Sequence, residues 1–211
     1  WGAFAERIAV PRADFNLVKL PEAIPFTAAA GMGCRLTTAF RAVVDRAHLQ
    51  PGEWLAIHGS GGVGLSALLI ADAIGAQTLA IDVDDQALAL ARKLGATRTL
   101  NVSGIADVGA AVREATEGGA HVSLDALGVT ATFHNSIRGL RKLGRHVQIG
   151  MPLGSHAEPT VPLLELVYSR QIAIMGTRGI PASRFPALFS MIAAGHIDPA
   201  ETMISYIHLQ D

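Results

Sequence analysis

The run GSGGVG, residues 59–64, lies between an apolar strand-like stretch (53–58) and an amphipathic helix-like stretch (65–75). Placed there, it reads as a phosphate-binding turn. Gly59 can take the backbone angles of a tight strand-to-helix turn, Gly61 lets the main chain approach a pyrophosphate without a Cβ in the way, and Gly64 lets the helix pack close to the strand. Ser60, Gly62 and Val63 complete the turn. The free N–H groups and the positive end of the helix then face the ligand's negative charge. Alone the pattern is weak: 22 glycines in 211 residues would give roughly 0.2 chance copies of GxGxxG per chain.

The context strengthens it. A second strand over 77–82 ends in Asp82, about 20 residues on, where an adenosine ribose would be read. A carboxylate there accepts both ribose hydroxyls, each charge-assisted bond contributing roughly 1.5–3 kcal/mol. It would repel a 2′-phosphate, and Val83, Asp84, Asp85 and Gln86 offer no arginine to hold one, so NAD is favoured over NADP. The plainer role for Asp82 is to cap the next helix, which Asp84 or Asp85 could do instead.

The elements that must position these residues alternate in type. Strands are expected over 53–58, 77–82, 98–101, 121–126, 145–150 and 171–177, and helices over 62–75, 84–95, 104–117, 130–143 and 162–169. This is the pattern of an α/β fold with a doubly wound, six-stranded parallel Rossmann sheet. The first 28 residues read differently, as short strands over 2–11 and 15–20 with a turn at 21–25. They are assigned to another domain, as is the end of the chain, where a proline-started helix (181–195) and a strand (203–209) follow Thr177. The resulting division is 1–36, 37–177 and 178–211. The chain starts at Trp1 and stops just after a strand-like run, so it reads as a fragment.

A net charge of −1 with 17% charged residues, and no basic cluster, leaves no electrostatic footprint for nucleic acid or an acidic membrane surface. Asp72, Asp82 and Arg92 interrupt the apolar stretches before they reach membrane-spanning length. One cysteine excludes an internal disulfide and fits a reducing compartment, so a cytoplasmic location is expected. The eight histidines show neither an i, i+4 pair nor a CxxC partner, and are read as surface or packed residues. His58 abuts the glycine turn and could line the ligand site or pack at the strand end. Arg35, Arg178 and Arg184 are candidates to approach the phosphates or an interdomain cleft, with no role assigned. No G-x-S-x-G elbow supports a hydrolase triad.

The ordered segments GAFAERIAVP, GCRLTTAFRAV, HGSGGVGLSALLIADAIGA and AIDVDDQALALARKLGA resemble the downstream part of a zinc-dependent alcohol dehydrogenase of the medium-chain dehydrogenase/reductase superfamily. The likeness extends over essentially the whole chain. A lone cysteine is ordinarily a small buried apolar residue, but the resemblance implies that Cys34 is the third protein ligand of a catalytic zinc and that Thr38 touches the nicotinamide. It further implies Val63 behind the nicotinamide ring, Leu127 and Gly128 beside the adenosine and adjoining ribose, and backbone groups of Ile149, Met151 and Thr177, with Gly150 between the first two, around the carboxamide.

The flanking pieces would then belong to a GroES-like catalytic domain. In that family the first cysteine ligand, the Gly-His-Glu segment and the structural zinc loop lie upstream of Trp1, so this chain alone is expected to bind cofactor without turnover. The parent would transfer hydride reversibly between an alcohol and NAD, giving an aldehyde or ketone, with zinc lowering the pKa of the alcohol oxygen. It would form a homodimer or homotetramer, the 171–177 strand pairing across a dimer. Three alternatives stand beside this reading. A zinc-free quinone or enoyl reductase of the same superfamily is opposed by Cys34 and Asp82. A methyltransferase is opposed by the GGVG spacing and by the strand that ends at Ile149 and Gly150. The third is a nucleotide-binding module without catalysis.

Overall fold

The computed structural model of the chain describes residues 5–202. Its centre is β1 (Trp54–His58), buried along its whole length, as a continuous apolar run in a parallel sheet must be. Around it stand β2 (Gln77–Asp82), β3 (Arg98–Asn101), β4 (Ala120–Asp125), β5 (Leu140–Gln148) and β6 (Ala173–Gly176). The sheet order is β3-β2-β1-β4-β5-β6, every pair parallel. The order reverses between β1 and β4, which opens a crevice beyond their carboxyl ends.

The two-residue period of β1 divides the core. Leu55 and Ile57 face one layer with Leu36, Phe40, Val43 and Leu68. Trp54 and Ala56 face the other, with Leu79, Val112, Phe133 and Ile137. The helices are α1 (Ala13–Asn16), α2 (Phe26–Gly31), α3 (Thr37–Phe40), α4 (Gly62–Ile74), α5 (Asp85–Lys93), α6 (Val108–Ala115), α7 (Thr130–Arg138) and α8 (Phe185–Ala193). Wide turns at Met32–Leu36 and Arg41–Arg46 join α2 and α3 into one helical stretch leading toward β1. Arginines bind this stretch to the far end of the sheet. Arg41 Nη1 donates to the Arg178 carbonyl at 3.1 Å, Arg46 Nε to the Gly176 carbonyl at 3.1 Å, and Arg184 grips Asp45 with Nε at 3.1 Å and Nη2 at 2.5 Å. No helix among the described residues is long and apolar enough to cross a membrane.

Several expected elements differ. Residues 5–11 hold no strand, and 15–20 begin as the end of α1 rather than as a strand. Short strands there have no neighbour to pair with among the described residues, and an isolated hairpin is marginal in water. The helix expected over 130–143 stops at Arg138, and β5 begins at Leu140. Leu140 and Leu143 have helical spacing, but Leu140 is fully buried in the sheet while Leu143 is 68% exposed and left-handed, with φ 61°. The β4–β5 register jumps there, from Ala120↔Leu140 to Val122↔Arg145. The helices expected at 104–117 and 162–169 shorten to Val108–Ala115 and the wide turn Leu163–Tyr168. The strand expected over 203–209 lies outside the described residues.

One face of the sheet carries a buried polar row. His58, Asp125 and Gln148 are in register across β1, β4 and β5, with Ser123 and His146 one step behind. His146 Nδ1 lies 2.9 Å from the Ser136 hydroxyl and Nε2 3.2 Å from Gln148 Oε1, so Nε2 carries the proton and Ser136 donates to Nδ1. Gln148 Nε2 then donates to Asp125 Oδ2 at 3.0 Å. Burial lowers the pKa of His58 to about 4 despite the attraction of Asp125. It lowers that of His146 to about 4 despite its bond to Gln148.

Both rings are therefore neutral in the fold at pH 7. Below about pH 6.5 the unfolded chain binds protons that the folded chain refuses, so stability falls as pH drops from 6.5 toward 4. The loss is on the order of 3 kcal/mol per histidine at its limit. Urea midpoints measured across this range should fall with acid, and His146→Gln should remove roughly half of the slope. A flat profile in the unsubstituted protein would contradict this account.

Candidate functional site

The glycine turn sits where β1 ends at the sheet's reversal. Gly59 has φ 98°, and its N–H donates to the Ile81 carbonyl at 2.9 Å. A Cβ on Gly59 would stand 2.9 Å from Leu127 Cγ. A Cβ on Gly64 would fall onto the Gly59 carbonyl oxygen and come within 3.1 Å of Ile57 Cγ2. These two glycines are thus demanded by the chain's own packing. Gly61 is not, since its extended backbone (φ −80°, ψ −170°) suits any residue and nothing lies within 4 Å of a Cβ built on it. The space beside Gly61 opens directly before the first turn of α4, where no side chain caps the helix N–H groups. An open space against uncapped donors at the positive end of a helix suits an anion.

Asp82 fastens this turn. Its Oδ2 accepts from the Ser60 N–H at 2.7 Å, and its Oδ1 from Val83 N–H at 2.7 Å and Asp84 N–H at 3.1 Å. Capping of α5 falls to Asp84, which accepts from the Gln86 N–H at 2.8 Å. The Ser60 hydroxyl oxygen is buried without a hydrogen-bond partner. Val63 is half-buried at the margin of the α4 core layer.

Across the crevice, Gly128 (φ 85°) and Gly150 are pressed together. A Cβ on Gly128 would lie 2.7 Å from both the Gly150 carbonyl carbon and the Met151 oxygen. Leu127 and Met151, 54% and 66% exposed, face solvent with Val83, which is 63% exposed. Leu127, Gly128, Ile149, Gly150 and Met151 therefore share one rim. The Ile149 N–H and Gly150 N–H donate to the Asp125 carbonyl at 3.0 and 2.8 Å, and the Thr177 N–H donates to the Gln148 carbonyl at 3.1 Å. With those donors engaged, a backbone contact of Ile149 or Thr177 with a ligand would fall to its carbonyl. The Thr177 hydroxyl is buried without a partner.

Asp125, not singled out from the sequence, organises this side. Fully buried, its Oδ1 accepts from Leu127 N–H at 2.8 Å, Gly128 N–H at 3.0 Å and the Thr132 hydroxyl at 3.1 Å. The signal was present: an acid closes an apolar strand three residues before a glycine, much as Asp82 closes β2. His58 is packed, 2% exposed, with its Nε2 buried and unpartnered.

Cys34 is exposed in the wide turn Met32–Leu36, and Thr38 is buried in α3. The next residue after Cys34, Arg35, reaches the first residue of α4, so this helical segment lies beside the glycine turn. Among the described residues, no group of three or more His, Cys, Asp or Glu side chains is placed to hold a metal ion. Arg178 and Arg184 serve the contacts between the 37–46 helical stretch and the end of the sheet.

A doubly wound sheet with a glycine turn at its reversal defines a dinucleotide-binding type of fold. Residues 62–194 match the zinc-binding dehydrogenase family, and the chain belongs to that family. It is 36% identical over 155 residues to a geraniol dehydrogenase of Castellaniella defragrans, covering 73% of this chain and 41% of that protein. It is 32% identical over 180 residues to an alcohol dehydrogenase of Geobacillus stearothermophilus, covering 84% and 51%. A crystal structure of an NAD-dependent alcohol dehydrogenase superposes with a TM-score of 0.80 at 30% identity, covering 93% of this chain and 56% of that one. The chain spans about half the length of the curated relatives it matches.

The glycines separate by experiment. Gly64→Ala should cost about 2 kcal/mol or more in urea unfolding, because the new methyl meets backbone. Gly61→Val should stay within about 1 kcal/mol of the unsubstituted chain, the range of an N-cap change. Equal losses would mean that the space at Gly61 is not free.

Proposed function

We propose that this chain is the NAD-binding portion of a zinc-dependent alcohol dehydrogenase. The observation that carries the reading is the open space at Gly61, set against the uncapped start of α4 and flanked by the carboxylate that fastens the turn. In this reading the turn of Gly59 to Gly64 holds the pyrophosphate through the N–H groups at the start of α4, those of Gly59 and Ser60 being engaged within the fold, and Asp82 turns its one remaining lone-pair site to the adenosine ribose. Leu127 and Gly128 line the adenosine side, Thr38 and Val63 face the nicotinamide, and Ile149, Gly150, Met151 and Thr177 surround the carboxamide. Residues 37–177 form the cofactor domain, with 1–36 and 178–211 belonging to a GroES-like catalytic domain. The similar crystal structure is of an NAD-dependent enzyme, which supports the choice of cofactor.

The reaction assigned to the whole protein is reversible hydride transfer between an alcohol and NAD, yielding an aldehyde or ketone. NAD supplies the hydride acceptor; these residues bind and orient it. Zinc would activate the alcohol oxygen, and Cys34 would be one of its ligands. A catalytic zinc requires three protein ligands, and the described residues hold no group of three or more His, Cys, Asp or Glu side chains placed to bind a metal ion, so they do not by themselves fit the metal. Cofactor binding without alcohol turnover is accordingly the activity proposed for this chain alone. The edge of β6 is proposed to pair with a second copy in a homodimer or homotetramer.

Titration with both cofactors tests the reading. NAD should bind more tightly than NADP, since about 4 kcal/mol per charge pair at 4 Å, with an effective dielectric near 20, sets the upper scale of repulsion from Asp82 before salt reduces it. Asp82→Ala should narrow the ratio of the two affinities. The ratio is the readout because that substitution also unfastens Ser60. Gly61→Val should weaken NAD binding with little change in stability. Equal or tighter binding of NADP would overturn the NAD assignment, and absence of any dinucleotide binding would overturn the cofactor site.

A further inference from the structure

Arg35 is placed where its charge is unwelcome until something else arrives. A Cβ built on Gly62 would collide with the Arg35 side chain at Cδ and stand 2.8 Å from Nε and 3.1 Å from Cζ. The side chain therefore runs across the first residue of α4. The other arginines near this helical segment are engaged: Arg41 and Arg46 donate to carbonyls, and Arg184 grips Asp45. Arg35 makes no hydrogen bond or ion pair among the described residues.

A cation gains nothing at a helix N-terminus. The partial positive charge of the aligned peptides repels it, and the exposed N–H groups offer no acceptor. Arg35 is exposed there, so the repulsion is small, and an anion between the two would turn it into attraction on both sides. Independent features of the same turn ask for that anion. The Ser60 hydroxyl is buried and unpartnered, and the space beside Gly61 is open. Gly62 has no positive φ, and the three atoms nearest a Cβ built on it all belong to the Arg35 side chain, so its missing Cβ leaves the arginine its path.

We propose that Arg35 is a further cofactor-binding residue, its guanidinium closing over the pyrophosphate from the side opposite the turn's N–H groups. This rests on the reading of residues 59–64 as the NAD turn. The planar fork can donate to two phosphate oxygens at once, which a lysine cannot reproduce. Specificity is divided accordingly: Asp82 reads the ribose and discriminates against a 2′-phosphate, while Arg35 responds to the charge of the diphosphate that NAD and ADP share.

The test compares Arg35→Gln and Arg35→Lys with the unsubstituted chain, using calorimetry with NAD, ADP and adenosine, and thermal melting without ligand. Arg35→Gln should weaken NAD and ADP about tenfold or more, the scale of a lost charge-assisted bond, and leave adenosine unchanged. Its melting temperature should equal or exceed that of the unsubstituted chain, because an unpartnered cation has left the positive end of α4. Arg35→Lys should recover part of the lost affinity, and that part should shrink as salt rises. Unchanged binding of NAD and ADP by Arg35→Gln would overturn the assignment, as would a matching loss for adenosine with a lowered melting temperature, which would mark a structural role. If the unsubstituted chain binds none of the three, the NAD turn itself is wrong and this inference falls with it.

Discussion

The closest constraint in the structure is the contact of Gly64 with the carbonyl of Gly59, where no side-chain atom could be inserted. It draws the first turn of α4 against the end of β1, and β1 is the strand on which both core layers close. Because β2 and β4 pair with β1 on its two sides, that contact fixes where the uncapped helix end stands relative to both flanking strand ends. The crevice is thus set mainly by backbone, with glycine used where the chain has no room or must turn, and at Gly61 and Gly62 where the room itself matters.

Two carboxylates then hold the crevice walls by the same means. Asp82 accepts three backbone N–H groups at the turn, and Asp125 accepts two from the opposite rim while its carbonyl accepts two more. Such bonds cost little flexibility to form, since the backbone donors are already ordered by the sheet. They leave the apolar side chains of Val83, Leu127 and Met151 as the exposed surface of the rim, which suits the flat faces of bases. The buried row behind Asp125 is the counterpart: Gln148 donates to that carboxylate, and His146, held neutral by burial, donates in turn to Gln148.

Much of this was legible. Apolar runs of strand length, alternating with amphipathic ones, gave all six strands to within a few residues except the start of β5, and the glycine spacing located the turn. The exceptions have physical causes. Leu140 and Leu143 repeat with helical period although one is sheet core and the other a left-handed bulge, and a three-residue spacing cannot distinguish these. Asp125 escaped notice because a fully buried acid looks in sequence like any strand-end acid, and only tertiary structure shows that its partners are main-chain donors rather than a charge.

In the sequence Arg35 is legible only as one of three arginines that could approach the phosphates or an interdomain cleft, and nothing there singles it out. It stands 27 residues before Gly62, beyond any local motif, and one residue after the cysteine that draws attention in this segment. What reveals it is an electrostatic mismatch: a free guanidinium placed at the positive end of a helix, with a glycine clearing its path. Stability alone offers no reason for that arrangement, since Gly62 gives up helix propensity and Arg35 gains no partner in exchange. Ligand binding offers one, because the same anion would satisfy the arginine, the helix end and the Ser60 hydroxyl together. Cys34 and Arg35 are adjacent on this helical turn, so the segment that would contribute a metal ligand also carries the charge that would register the cofactor's phosphates, and a shift of the turn would move both.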